Sequence, residues 1–190
     1  MQTVTLDRMQ DLTPFGLGDP VPAFALPDTE GAEHAVPEDG GSPAATVLVV
    51  TCNHCPYVIA WNPRLRAVAE DYAPRGVRFL AINPNDAKRY PADSLEHMRR
   101  FVREQDWPIP YLHDEAQDVA RALGAERTPH VFVLDGDHRL AYRGAPDGDH
   151  EDPSRDAEWL RAALDAVLAG KRPERAETPA RGCSVKWREP

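Results

Sequence analysis

Cysteine is scarce in this chain, three residues in 190, and the scarcity excludes a fold stapled together by disulfides. Basic residues are also in deficit, with 22 Lys and Arg against 31 Asp and Glu for a formal net charge of −9. Phosphate backbones need a basic face, so nucleic acid is excluded as a partner and the charge reads as a solubility feature. No apolar run approaches the roughly 20 residues that cross a bilayer, so no membrane association is expected. The opening "MQTVTLDRMQDLTPFG" lacks the basic start and apolar core of a signal peptide. The expected compartment is the cytoplasm, where thiols stay reduced unless they have a chemical task.

What is present describes one ordinary globular domain, 42% hydrophobic and 28% charged, with room for a full core. Residues 1–14 read as a flexible leader, 15–170 as the domain, and 171–190 as a tail carrying Cys183. A short strand is expected at Ala23 to Leu26, between prolines. "ATVLVVT" (45–51) and "VRFLAIN" (77–83) are continuous, β-branched runs of the kind buried on both faces of a sheet. A helix is expected over 56–72, with Leu65, Val68 and Tyr72 on one face and Pro63 kinking or splitting it. Asp93, with Glu96 three residues on, is expected to cap a helix running to Glu104. "IPYLHD" reads as a brief strand, and Asp114 with Gln117 opens a helix that Gly124 closes. Two apolar runs around Asp135-Gly136 signal a β-hairpin. Asp152-Pro153 starts a last helix striped with Leu160, Leu164, Val167 and Leu168. The acidic stretch "PDGDHEDPSRD" lacks the alternating ligands of a calcium loop and reads as a solvated loop. Strand–helix alternation closing on a hairpin and a helix implies an α/β fold with a central mixed sheet.

The chemistry gathers in "VVTCNHCPYV", residues 49–58. A buried strand feeding a helix through Cys-x-x-Cys places Cys52 at the helix N-terminus, where free N–H groups and the dipole favour the thiolate nucleophile. Cys55, one turn on, is placed to close a disulfide and release a partner. His54 can add positive charge beside the thiols, and Pro56 suits a first helical turn. Inert buried thiols, or a zinc or copper site built from Cys52, Cys55 and His54 or His130, are the competing readings.

The order of motifs adds a resemblance. "LGDPVPAFALPDTEG", the Cys-x-x-Cys after a buried strand, "PYLHDEAQDVARALGAERTPHVFVLDGDHRL" and "GCSVKW" together resemble the thioredoxin-fold AhpC/TSA superfamily, in its peroxiredoxin-like branch, over residues 15–187. The resemblance implies a thioredoxin-like fold with helices flanking a mixed sheet. It also implies that Thr128-Pro129 is a Thr–cis-Pro pair beside the cysteines, offering backbone to an extended substrate. Peroxidases of the superfamily carry Pro-x-x-x-Thr-x-x-Cys and a later Arg. Aligning their cysteine on Cys55 puts Leu48 and Cys52 in the first two helper positions, and matching the later strand on Phe132 puts Pro129 in that of the Arg. The resemblance therefore implies dithiol–disulfide exchange, with an antioxidant thiol peroxidase and a metal-binding or redox-sensing module as alternatives. The chain departs from thioredoxins in having Thr51 instead of Trp before the first cysteine and no acid on the preceding strand. His54, His130 or water is left to serve as base for Cys55.

On this reading Cys52 attacks, Cys55 resolves, Asn53 and His54 tune the couple, and Thr128-Pro129 shapes the groove. Cys183 is either a passive residue of an ordered tail or a third redox thiol. No metal and no cofactor is called for. The expected partners are a protein or small-molecule disulfide and a dithiol electron donor.

Overall fold

The computed structural model describes residues 15–189, so the expected flexible leader at 1–14 lies outside the described residues. The chain begins with an antiparallel hairpin of β1 (Phe24–Pro27) and β2 (Glu33–Val36), of which the sequence announced only the first strand. The central sheet then builds from β3 (Ala45–Val50), β4 (Val77–Asn83), β5 (Tyr111–His113), β7 (His130–Asp135) and β8 (Leu140–Gly144), in the order β5-β4-β3-β7-β8. Strands β3, β4 and β5 run parallel, while β7 and β8 run antiparallel, so the sheet is mixed. Helices α1 (Pro56–Tyr72), α2 (Leu95–Gln105), α3 (Asp118–Ala122) and α4 (Glu158–Leu168) flank it. A two-residue strand β6 (Arg127–Thr128) pairs with β9 (Cys183–Ser184) from the tail.

The apolar character of β3, interrupted only by Thr46, has a direct cause. Val47 and Val49 face one core with Trp61 and Leu65 of α1 and Leu160 and Leu164 of α4. Leu48 and Val50 face a second core with Leu80, Ile82, Phe132, Leu123 and Val185. With both faces covered, alternation would put a polar side chain into a core, and every residue of β3 is buried.

Three local expectations are corrected. Pro63 does not split α1, which runs unbroken over 17 residues. The proline faces solvent while Trp61, Arg64 and Leu65 on either side are anchored, so tertiary packing holds the helix across the missing N–H. Asp93 does not cap α2; Ser94 does, its hydroxyl accepting the His97 N–H. The acidic stretch is solvated only in its second half, from Glu151 to Asp156. Asp147 within it is fully buried and accepts from Trp61 Nε1 (2.9 Å), Arg64 (2.6 Å) and the Ala157 N–H (3.1 Å). That one carboxylate ties α1 to the start of α4.

The tail lies along the domain. Arg143 of β8 exchanges backbone hydrogen bonds with Ala176 and Thr178. Beyond Cys183, Val185 is buried, Asp86 donates to the Lys186 carbonyl, and Trp187 packs under the Arg121 guanidinium at 4.3 Å.

Candidate active site

The C-terminal ends of β3 and β4 and the start of β7 converge on one point, where backbone leaves the sheet and its polar groups are free for other partners. The loop Thr51–Cys55 carries the cysteines out of β3 into α1. Cys55 is the N-cap of α1, with Pro56 in the first turn where its missing N–H costs nothing. This differs from the expected arrangement: the helix N-terminus acts most directly on Cys55, and Cys52 stands three residues earlier. Both are free thiols, 2% and 0% exposed, in a small cluster with Val58, Tyr57 and Cys183.

Thr128 touches both members of the pair. Its hydroxyl lies 3.4 Å from Cys52 Sγ, and its carbonyl accepts from the Cys55 thiol at 3.1 Å. The Thr128–Pro129 peptide is cis. Cys183, distant in sequence, stands with its sulfur 2.8 Å from Cys55 Sγ.

The sulfurs share protons. The Cys52 thiol donating to Cys55, then the Cys183 thiol and the α1 N-terminus, pull Cys55 down to about 4 against burial. The same Cys55 contact and burial push Cys52 well above the ordinary thiol range. Burial and the Cys55 contact push Cys183 up to about 11, with Lys186 and Arg127 opposing. The Thr128 carbonyl, which can only accept, disfavours charge on Cys55. Contact with the other two sulfurs and the helix end oppose that acceptor and lower Cys55.

The buried acid missing from β3 arrives from another part of the chain. Asp93, fully buried, accepts from the Asn53 backbone N–H (2.7 Å), Asn85 Nδ2 (2.9 Å) and Asn83 Nδ2 (3.3 Å). His54 Nδ1 lies 2.7 Å from the carboxylate oxygen that Asn85 reaches, at ion-pair distance but off the direction of a good hydrogen bond. Asn53 is fixed further by Tyr111, which donates to its side-chain oxygen at 2.9 Å. The asparagines of "NPND" therefore hold the acid that holds the cysteine loop. Sequence reasoning missed Asp93 because it passed for a cap. The usable signal was redundancy: Asp93-Ser94 offers two capping residues to a helix that needs one.

His130 is not at this site. It is buried, its ring packs against Phe132 at 4.4 Å, its Nδ1 accepts from the Glu126 N–H, and burial holds it down at about 4. As the donors for an ion, the structure brings together Cys52, His54 and Asp93, whose ligand atoms lie within 4.8 Å of one another. An open cleft of about 460 Å³ adjoins the cluster, lined by Tyr57, Arg127, Gly148, His150, Arg181 and Gly182. Among the described residues no helix is long and apolar enough to cross a membrane.

A Cys-x-x-Cys at the end of a central parallel strand, facing a threonine–cis-proline turn, defines a thioredoxin-like fold. The chain belongs to the AhpC/TSA family, whose model matches residues 17–143. It is 42% identical to an uncharacterized conserved protein from Geobacillus kaustophilus, covering 93% of this chain and 94% of that one with a TM-score of 0.85. A hypothetical protein from Sinorhizobium meliloti 1021 is 37% identical over 94% of this chain and 98% of its own, with a TM-score of 0.86. The thiol-disulfide oxidoreductase ResA of Geobacillus thermodenitrificans is 24% identical over 134 residues, 70% of this chain and 71% of that protein.

Proposed function

We infer that the protein is a thiol–disulfide oxidoreductase whose redox unit is the Cys52–Cys55 pair. The observation that carries this reading is the placement of two free thiols at the α1 N-terminus against Thr128, where contact between the sulfurs lowers Cys55 and raises Cys52. A dithiol in that state is poised for exchange: one sulfur is the nucleophile and the other closes the disulfide. Oxidation forms the Cys52–Cys55 bond and delivers two electrons and the pair's one proton to a substrate disulfide, which leaves as a thiol and a thiolate. Reduction by a dithiol donor restores the pair. Thr128 orients both sulfurs, and Asn53 and His54, held by Asp93, fix the loop between them. The name of the ResA relative agrees with this reading.

The peroxidase alternative is less well supported, because a cysteine and a proline stand where its threonine and arginine helpers would be. A metal reading draws on the Cys52, His54 and Asp93 grouping.

The test is a redox titration against glutathione, read by thiol trapping and mass spectrometry. A single two-electron Cys52–Cys55 transition is expected, and loss of turnover with a disulfide substrate in both Cys52→Ser and Cys55→Ser. Absence of an intramolecular disulfide at any poise, or one tightly held metal ion per chain, would sink the reading.

A further inference from the structure

A dithiol enzyme must meet its substrate, yet Cys52 and Cys55 are 2% and 0% exposed. What covers them is the chain's own tail. Strand β9 pairs antiparallel with β6, placing Cys183 opposite Thr128 and Ser184 opposite Arg127. This is the backbone edge beside the cis peptide, next to both buried cysteines. The tail is shaped for that position. Gly182 approaches so closely, at φ +145°, that a Cβ on it would stand 2.1 Å from the Thr128 carbonyl oxygen. Val185 donates to the Glu126 carbonyl on the far side. Held at both ends, Cys183 presents its sulfur to Cys55 at 2.8 Å. It is also the one cysteine with appreciable exposure, bordered by the cleft that Gly182, Arg181 and Arg127 line.

We propose that Cys183 is the entry thiol of a three-cysteine relay, exchanging disulfides between external substrates and the buried pair. The proposal rests on the dithiol function given above. An external disulfide R–S–S–R is attacked by Cys183, whose proton leaves with the departing sulfur. The Cys183 Sγ–S–R bond forms and one RSH leaves. The Cys55 thiolate then attacks Cys183 Sγ, the bond to the second RS group breaks, and it departs as RS⁻. The sum is one disulfide reduced to a thiol and a thiolate and one Cys55–Cys183 disulfide formed. Cys52 next attacks Cys55 Sγ and releases Cys183 as a thiolate, which takes up the proton Cys52 lost. This last step is exchange without net oxidation, and it leaves the disulfide on Cys52–Cys55 with the entry thiol free again. Each step is reversible, so the same route carries electrons inward from a dithiol donor.

The experiment follows the reduced full-length protein after mixing with oxidised glutathione. Acid quenching, alkylation and peptide mapping then locate each disulfide with time. Wild type is expected to pass through a Cys55–Cys183 link before Cys52–Cys55. Cys52→Ser should accumulate the Cys55–Cys183 link, and Cys183→Ser should oxidise the pair at least tenfold more slowly. Gly182→Ala keeps all three thiols but lifts the tail strand, and should show the same slowing with no tail-linked peptide. Its melting curve reports whether it folds. The relay is overturned, with the dithiol reading intact, if Cys183→Ser closes Cys52–Cys55 as fast as wild type and Cys52→Ser yields no tail link. It falls together with that reading if wild type forms no intramolecular disulfide at all. A wild-type rate in Gly182→Ala would refute the docking on which the relay depends.

Discussion

Cys55 carries the sharpest prediction at the scale of single residues. Its pKa, drawn down to about 4 by the neighbouring sulfur beside a Cys52 pushed far up, predicts one thiolate on the reduced pair across the neutral range. Thiolate absorbance at 240 nm should therefore persist as pH is lowered from 8 and disappear only near 4. Cys55→Ser should lose that absorbance, while Cys183→Ser should keep most of it. A titration near 8 or 9 in the wild type would show that the sulfurs do not share a charge. Asp93 makes a second prediction. Its negative charge raises Cys52, so Asp93→Asn should make Cys52 easier to ionise and speed its reaction with iodoacetamide. The new amide nitrogen also faces a donor on whichever edge it takes, the Asn53 N–H on one or Asn85 Nδ2 on the other, a mismatch that costs about 2 kcal/mol and lowers the melting temperature. Unchanged alkylation and melting in Asp93→Asn would remove Asp93 from the site.

Between elements, the junction of α1 with the loop before α4 is the most exacting joint. Arg64 is buried against Asp147 and reaches the carbonyls of Asp149 and His150. Asp147→Ala leaves that guanidinium buried without its counter-charge, and the expected loss is about 3 to 5 kcal/mol. Thermal melting should show it as a drop of many degrees, and a shift of a degree or two would mean that water replaces the carboxylate. The strands and long helices around this joint were legible because their signals are local. The run 77–83 and the helix 56–72 appear in the structure with the bounds that period and proline placement implied. Joints are another matter. Asp147 and Asp93 were read as a loop acid and a cap because nothing nearby in sequence reveals that Trp61 or Asn53 will lie beside them. The cysteine pair was legible from spacing alone. That its helix end would favour Cys55 over Cys52 depended on which residue becomes the N-cap, a matter of two or three positions that spacing does not resolve.

For the molecule as a whole, His130 sets an acid limit. Its ring is neutral in the folded chain, with a pKa of about 4 against an ordinary 6.5, so the unfolded chain takes up the proton first. Stability from this group is complete above about 6.5 and is lost as pH falls toward 4, by roughly 3 kcal/mol at most. Denaturant melts between pH 7 and 4 should show that slope, and His130→Phe should flatten it at a lower plateau, since the Glu126 N–H loses its acceptor. A wild-type curve flat over the same range would mean that the ring ionises in place.

The separation of 128 residues between Cys55 and Cys183 has a thermodynamic consequence of its own. A covalent link there would close most of the domain into one ring, and loop-closure entropy alone makes such a ring about 5 kcal/mol harder to unfold. A link between Cys52 and Cys55 encloses almost nothing and confers little. Moving a disulfide from one sulfur to its neighbour, with no change in the number of electrons held, would therefore tighten or slacken the entire fold. The melting temperature becomes a gauge of where in the relay the disulfide rests.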